Sequence, residues 1–102
     1  MSKFMQTPGS QRITSSGVIG ASGKPIRLFD AVGIANGSGA GIMKLYNGTS
    51  TGGTQYRQID TSGAASTAGV INSDNGILFK DGLYVDLTTN AAAVTCSFWQ
   101  EV

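Results

Sequence analysis

Histidine is absent from the 102-residue chain, and cysteine occurs once, at Cys96. Without imidazole the chain lacks the usual general base, the usual triad partner and a common metal ligand. A single cysteine excludes an intrachain disulfide, and its place in an alternating apolar segment predicts a small buried side chain. The carboxylates are dispersed, mostly at turns or strand edges. We therefore predict no catalytic, cofactor-binding or metal-binding residue, and a protein that is not an enzyme.

Charged residues are also scarce, at 13% of the chain, which is about half the usual share. The lysines and arginines are scattered, so the sequence predicts no nucleic-acid partner. Two interpretations of the low charge stay open: much of the surface contacts other protein, or it is a β surface covered by Ser and Thr. No apolar run has the length of a signal peptide or a membrane span. We therefore expect no membrane partner, and synthesis and assembly in a cytoplasm.

What the chain has instead is a series of short alternating apolar segments separated by glycine-rich turns. Their spacing of roughly ten residues, without any helical period, predicts about eight strands. The predicted fold class is all-β, a single-domain antiparallel β-sandwich or jelly-roll-like barrel. The order of the strands does not follow from these local signals.

The clearest pattern lies in residues 75–87, where two apolar runs flank the turn-forming tripeptide at residues 80–82. Because Asp-Gly supplies the backbone freedom that a tight turn requires, this segment predicts a β-hairpin near the middle of a sheet. Residues 11–20 predict one strand with a possible bulge at Gly17.

Two further segments predict which side chains face the core. In residues 25–35, alternation predicts one face made of Ile26, Leu28, Asp30, Val32 and Ile34. In the last strand, residues 91–102, alternation places three side chains inward and the others outward. The inward three are Val94, Cys96 and Phe98, and the outward set includes Trp99.

Glycine-rich segments in residues 20–25 and 32–41 resemble phosphate-binding loops in composition. A dinucleotide-binding loop must open a helix, whereas residues 42–46 alternate like a strand. In the shorter segment the glycine spacing is wrong, and Pro25 stands where a hydroxyl side chain is needed. Both segments are therefore interpreted as β connections, and no cofactor is predicted.

The predicted organisation is an N-terminal arm, residues 1–10, followed by one β-sandwich domain, residues 11–102. The arm carries Phe4 and Met5 without a periodicity that would bury them locally. It either packs on its own sheet or docks on a neighbouring subunit, and we favour docking. Phe4, Met5 and Trp99 are the predicted interface residues. The aromatic residues allow a second hypothesis, a sugar-binding platform, against the simpler view that they fill the sheet faces; the set is Tyr46, Tyr56, Tyr84 and Trp99.

Three segments, residues 16–29, 45–49 and 75–87, carry a resemblance in style to small virion proteins of tailed bacteriophages, particularly marine and cyanobacterial phages. The resemblance implies a structural role, as a capsid decoration or cement protein or another tail or adaptor component. It implies a homo-oligomer located in the virion, in contact with a major capsid or other virion protein. No functional residue carries over. The alternative function is a carbohydrate- or receptor-binding β-sandwich module, in which case a glycan would be the partner.

Overall fold

The computed structural model describes residues 6–61 and 68–101. Within these residues the regular structure consists of eight β-strands. In chain order they are β1 (Gln6–Ile13), β2 (Gly17–Ile19), β3 (Ile26–Ala35), β4 (Ile42–Asn47), β5 (Thr54–Asp60), β6 (Ala68–Phe79), β7 (Leu83–Thr89) and β8 (Ala91–Glu101).

The strands form two antiparallel sheets, here named sheet I, with the order β1-β8-β3-β6, and sheet II, with the order β2-β7-β4-β5. The chain is therefore paired from its ends towards its middle: β1 with β8, β2 with β7, β3 with β6 and β4 with β5. This nested pairing across two packed sheets is the jelly-roll topology. The prediction of an all-β antiparallel sandwich of about eight strands is confirmed.

The core lies between the inner faces of the two sheets. Alternation along each strand sends every second side chain inward, where burial contributes about 1.5–3 kcal/mol for a large aliphatic or aromatic residue. The inward prediction for β8 is confirmed, since Val94, Cys96 and Phe98 are buried. The largest fully buried side chains are Phe79, Ile19, Ile26, Leu28, Met43, Leu45, Leu83, Val85, Val94 and Cys96.

The prediction that alternate residues of β3 from Ile26 to Ile34 share one face is wrong beyond Leu28. The pairing with both neighbouring strands shifts between Leu28 and Asp30. Relative to β8, Phe29 is one extra residue, which makes a β-bulge in β3. A bulge inserts one residue and so exchanges the two sides of the strand. Ala31 is therefore fully buried, while Asp30 and Ile34 lie on the outer face. Asp30 does not interrupt the buried face, because it is not part of it.

The hairpin predicted for residues 75–87 is also wrong, although its turn is correct. Gly82 has a φ of +106°, and its N–H donates to the carbonyl oxygen of Phe79 at 3.2 Å. The flanking strands do not pair, because β6 lies at the edge of sheet I and β7 lies inside sheet II. The turn carries the chain from one sheet to the other.

The N-terminal region differs in two ways from the prediction. Residues 6–10, which the sequence assigns to the arm, belong to β1, which pairs with β8 from Gln6–Glu101 to Ile13–Val94. Residues 11–20 do not form one strand, since β1 ends at Ile13 and β2 starts in the other sheet at Gly17. The predicted bulge at Gly17 is thus the first residue of β2.

Candidate interaction surface on the outer face of sheet I

Among the described residues, the large hydrophobic side chains that are exposed all lie on the outer face of sheet I. They are Ile34 at 38%, Val70 at 62%, Leu78 at 41% and Trp99 at 43% exposed. Together with Phe29, which packs against Trp99, they are named here the apolar face. Along the strands, a polar row of Asp30, Asn72 and Ser97 separates Leu78 and Trp99 from Val70 and Ile34. Exposed large apolar side chains concentrated on one sheet face favour contact with another protein.

Alternation with the core explains why these residues point outward. Phe79 and Phe98 are buried between the sheets, so their neighbours Leu78 and Trp99 must point to the other side. Val70 pairs with Val32 across β3 and β6, outside the sandwich. The strands that supply the core therefore also position the apolar face.

The centre of the apolar face is an ordered aromatic and basic group. The Phe29 and Trp99 rings pack edge to face, with 5.4 Å between centroids and 64° between planes. Arg27 lies opposite Trp99 on β8 and opposite Leu78 on β6. Its Nη1 donates to the carbonyl oxygen of Asn75 at 3.3 Å, which directs the guanidinium towards the β6 side of the face.

A rim borders this centre on the β6 side. Leu28 pairs with Ile77, and Asp30 pairs with Asn72. Between these two pairs β3 has one residue, Phe29, whereas β6 has four, so residues 73–76 form an excursion from the regular pairing. Gly76 has a φ of +79°, and a Cβ at this position would collide with the side chain of Arg27 and contact Phe29. Only glycine allows this close approach of the backbone.

Asp30 places a negative charge one row away from Arg27. It pairs with Ser97 on β8 and Asn72 on β6, and it is half-buried on the outer side of sheet I. On the inner side, burial and, to a lesser extent, the nearby Asp30 carboxylate raise the pKa of the Cys96 thiol to about 12. Cys96 is therefore a neutral core side chain, as its position in the sequence predicts.

The outer face of sheet II has a different composition. Lys44 lies between Asp86 on β7 and Gln58 on β5. Tyr46 and Tyr84 are adjacent, with ring centroids 6.4 Å apart. Polar and charged side chains predominate here, and none of the exposed large hydrophobic residues described above lies on this face.

The predicted interface residues are only partly described. Trp99 is exposed on the apolar face, as the alternation in the last strand predicts. Phe4 and Met5 lie outside the described residues. Sequence reasoning missed Leu78 and Val70, although a signal was present: both stand next to another apolar residue in a strand, which indicates apolar side chains on both sides of the sheet.

The four aromatic residues proposed as a platform do not come together. Tyr56 packs against buried Phe79, with centroids 5.2 Å apart, and is partly buried against the core. Trp99 lies on the outer face of sheet I, whereas Tyr46 and Tyr84 lie on the outer face of sheet II. Only Tyr46 and Tyr84 share a surface.

Two carboxylates take part in hydrogen bonds that hold loops. Asp81 accepts from Asn47 Nδ2 at 3.0 Å through Oδ2, and its N–H donates to Asn47 Oδ1 at 2.9 Å. Asp86 accepts from Ser16 Oγ at 3.0 Å and from Thr88 Oγ1 at 3.0 Å. In residues 6–61 and 68–101, no three His, Cys, Asp or Glu side chains are grouped so as to hold a metal ion.

The chain matches no protein family, no curated protein and no solved structure. In the described part of the chain, no helix has the length and apolar character needed to cross a membrane.

Proposed function

We propose that this chain is a non-enzymatic structural protein of a virion, a capsid decoration or cement protein that bridges or stabilises shell subunits. The observation that carries the proposal is the apolar face, where Trp99, Leu78, Val70 and Ile34 are exposed on the outer side of sheet I and Phe29 packs against Trp99. A surface of this kind favours contact with protein, because water is released from apolar area on both partners.

The architecture supports a role as a rigid connector. Two packed sheets with a continuous core present fixed outer faces, and the low share of charged residues leaves much of the surface free for protein contact. Copies bound side by side on a shell add their contacts through effective concentration, so that no single interface has to be tight. The jelly-roll topology occurs in viral capsid domains, and also in lectins, so the fold itself supports both candidate functions only by analogy.

The N-terminal residues supply a second contact. In β1, Pro8 pairs with Trp99, so the chain enters sheet I beside the apolar face. Residues 1–5 precede this strand and include Phe4 and Met5. Contact of this segment with a neighbouring subunit is the second part of the proposal.

The experiment is sedimentation of the purified protein with empty shells of the phage whose genome encodes it. We expect stoichiometric, saturable binding and a rise in the temperature at which the shells open. Trp99→Lys should weaken this binding, and Gln58→Lys on sheet II serves as the matched control. Intact protein that stays in the supernatant at every concentration would contradict the proposal.

A carbohydrate- or receptor-binding module is the second candidate, and one observation favours it. Tyr46 and Tyr84 lie side by side on the outer face of sheet II, next to Asn47 and its loop. Aromatic rings beside hydrogen-bonding groups are suited to sugar rings. Specific and saturable binding on a glycan array, lost in Tyr84→Ser and retained in Trp99→Lys, would favour this function over the first.

A further inference from the structure

We infer that two copies of this chain pair through their apolar faces, related by a two-fold axis that crosses β3 close to Phe29. The inference rests on the part of the proposed function that assigns a protein partner to this face. It names that partner as a second copy.

The first argument is the distribution of charge. The centre of the face carries one cation and one anion, Arg27 and Asp30, on either side of Phe29 along β3. Arg27 lies between Trp99 and Leu78, and Asp30 lies between Ser97 and Asn72. When two identical faces meet with their strands antiparallel, a two-fold axis at Phe29 brings Arg27 of each copy next to Asp30 of the other. The face is therefore complementary to itself, whereas like charges would meet if the strands ran parallel.

The second argument is area. Four strands at ~4.8 Å spacing and about eight residues at ~3.3 Å give sheet I a flat outer area of about 500 Å². Two such faces conceal about 1,000 Å² in total, which reaches the lower limit of a specific interface. Pairing through the whole of this face therefore has the size of a weak, reversible interface.

The third argument is the shape of the centre. The excursion at residues 73–76 borders Arg27 and Phe29 on the β6 side, so the nearest approach of two copies lies on the β8 side. Trp99 stands there, and it is already oriented by the edge-to-face contact with Phe29. A pre-oriented tryptophan at the centre of a face has the properties of an interface anchor, because little conformational entropy is lost on binding.

The test is sedimentation velocity of the full chain over a wide range of concentrations. We expect a reversible equilibrium between the 10.5-kDa monomer and a dimer of twice that mass. Trp99→Lys should raise the dimer Kd at least ~10-fold, and Gln58→Lys should leave it unchanged. Circular dichroism and thermal unfolding of each variant show whether it has folded.

A charge exchange tests the geometry and separates it from a loss of folding. Arg27→Glu and Asp30→Lys should each raise the dimer Kd about 10-fold, because like charges then meet across the axis. The double variant should regain most of the affinity, which a merely structural role of these residues does not predict. A double variant as weak as the two single variants would overturn the two-fold arrangement.

The outcomes also separate this inference from the proposed function. A monomer at all concentrations that nevertheless saturates empty shells would overturn the pairing and leave the structural role standing. A dimer that depends on Trp99 but never binds shells would support the pairing and contradict the role in the virion.

Discussion

The outer faces of the two sheets differ in composition, although both sheets pack on the same core. On β6 of sheet I, the neighbour of buried Phe79 is the exposed apolar Leu78. On β7 of sheet II, the neighbour of buried Val85 is Asp86, whose carboxylate is held by hydrogen bonds. Both strands give one side to the core, and among the described residues the exposed large hydrophobic side chains lie on the other side of sheet I. The difference identifies sheet I as the side that is suited to protein contact.

The comparison also shows where the scarce charges are placed. Sheet II has Lys44 opposite Asp86 and next to polar Gln58, an arrangement that is favourable in water. Sheet I has Arg27 between Trp99 and Leu78, one row from Asp30, and both charged residues are half-buried. Opposite charges in such surroundings contribute more to specificity than to stability.

The largest expected effect is on the free energy of unfolding, and it distinguishes the inner side of β6 from its outer side. Phe79→Ala should lower the free energy of unfolding by about 3–5 kcal/mol, because it leaves a cavity beneath Tyr56. Leu78→Ala, one residue away on the apolar face, should cost less than about 1 kcal/mol in the monomer. Urea unfolding at concentrations that keep the protein monomeric measures both values. Equal losses in the two variants would show that Leu78 is part of the core.

The second prediction concerns association along the apolar face. Leu78→Lys should raise the dimer Kd by about 10- to 100-fold, because it places an ammonium group beside Arg27 near the axis. Val70→Lys lies farther from Phe29 along the strands and should have a smaller effect, although Val70 is the more exposed residue. Sedimentation velocity gives both constants. A larger effect at Val70 would move the axis towards the other end of sheet I.

The third prediction concerns the inner side of β8 and the pH dependence of stability that the buried Cys96 causes. The pKa of the Cys96 thiol rises from its ordinary value of 9.0 to about 12 in the folded protein. Above pH 9 the unfolded chain therefore loses a proton that the folded chain keeps. The stability that the Cys96 thiol contributes is fully present below pH 9 and is lost as the pH rises. At about pH 10 the loss should be about 1 kcal/mol. Unfolding of the protein and of Cys96→Ala between about pH 7 and 10 isolates this contribution, which the variant must lack.

A thiol reagent gives an independent check on the same cysteine. Cys96 should react only as fast as the protein unfolds, since its sulfur is buried and neutral. Gln58→Cys in the Cys96→Ala background provides the exposed control on sheet II. Rapid labelling of Cys96 in the folded protein would contradict the burial.

The smallest expected effect is on monomer stability outside the core. Gln58→Lys on sheet II and Val70→Lys on sheet I should each change the free energy of unfolding by less than about 0.5 kcal/mol. Their effects on association should nevertheless differ, as described above. Thermal unfolding at low protein concentration measures the first quantity. A strongly destabilised Val70→Lys would mean that Val70 contributes to folding and not only to contact.

Local patterns predict the strands because alternation is a property of neighbouring residues. The last strand is the clearest case, with Val94, Cys96 and Phe98 inward and Trp99 outward. The apolar face is predicted only in part, since Trp99 stands out by its size whereas Leu78 resembles any other residue of a hydrophobic run. The structural role in a virion stays a prediction, and so does the absence of catalysis.

The errors have non-local causes. The Asp-Gly turn at Gly82 has the same local chemistry whether its two strands pair or separate into two sheets, and the choice depends on β3 and β4. Likewise, the bulge at Phe29 is defined by the residues opposite it on β8. Asp30 gives a hint, because a carboxylate in an apolar series indicates that the series changes sides.

The nested pairing of the strands also determines when sheet I can form during synthesis. The first strand has its partner in the last one, since Gln6 pairs with Glu101. On the ribosome, sheet I therefore stays incomplete until β8 has emerged, while β4 and β5 can pair earlier across a short loop. Folds dominated by such distant pairings form in milliseconds to seconds. Because the apolar face is assembled from β3, β6 and β8, it forms only after β8 has been synthesised, and shorter nascent chains cannot associate through it.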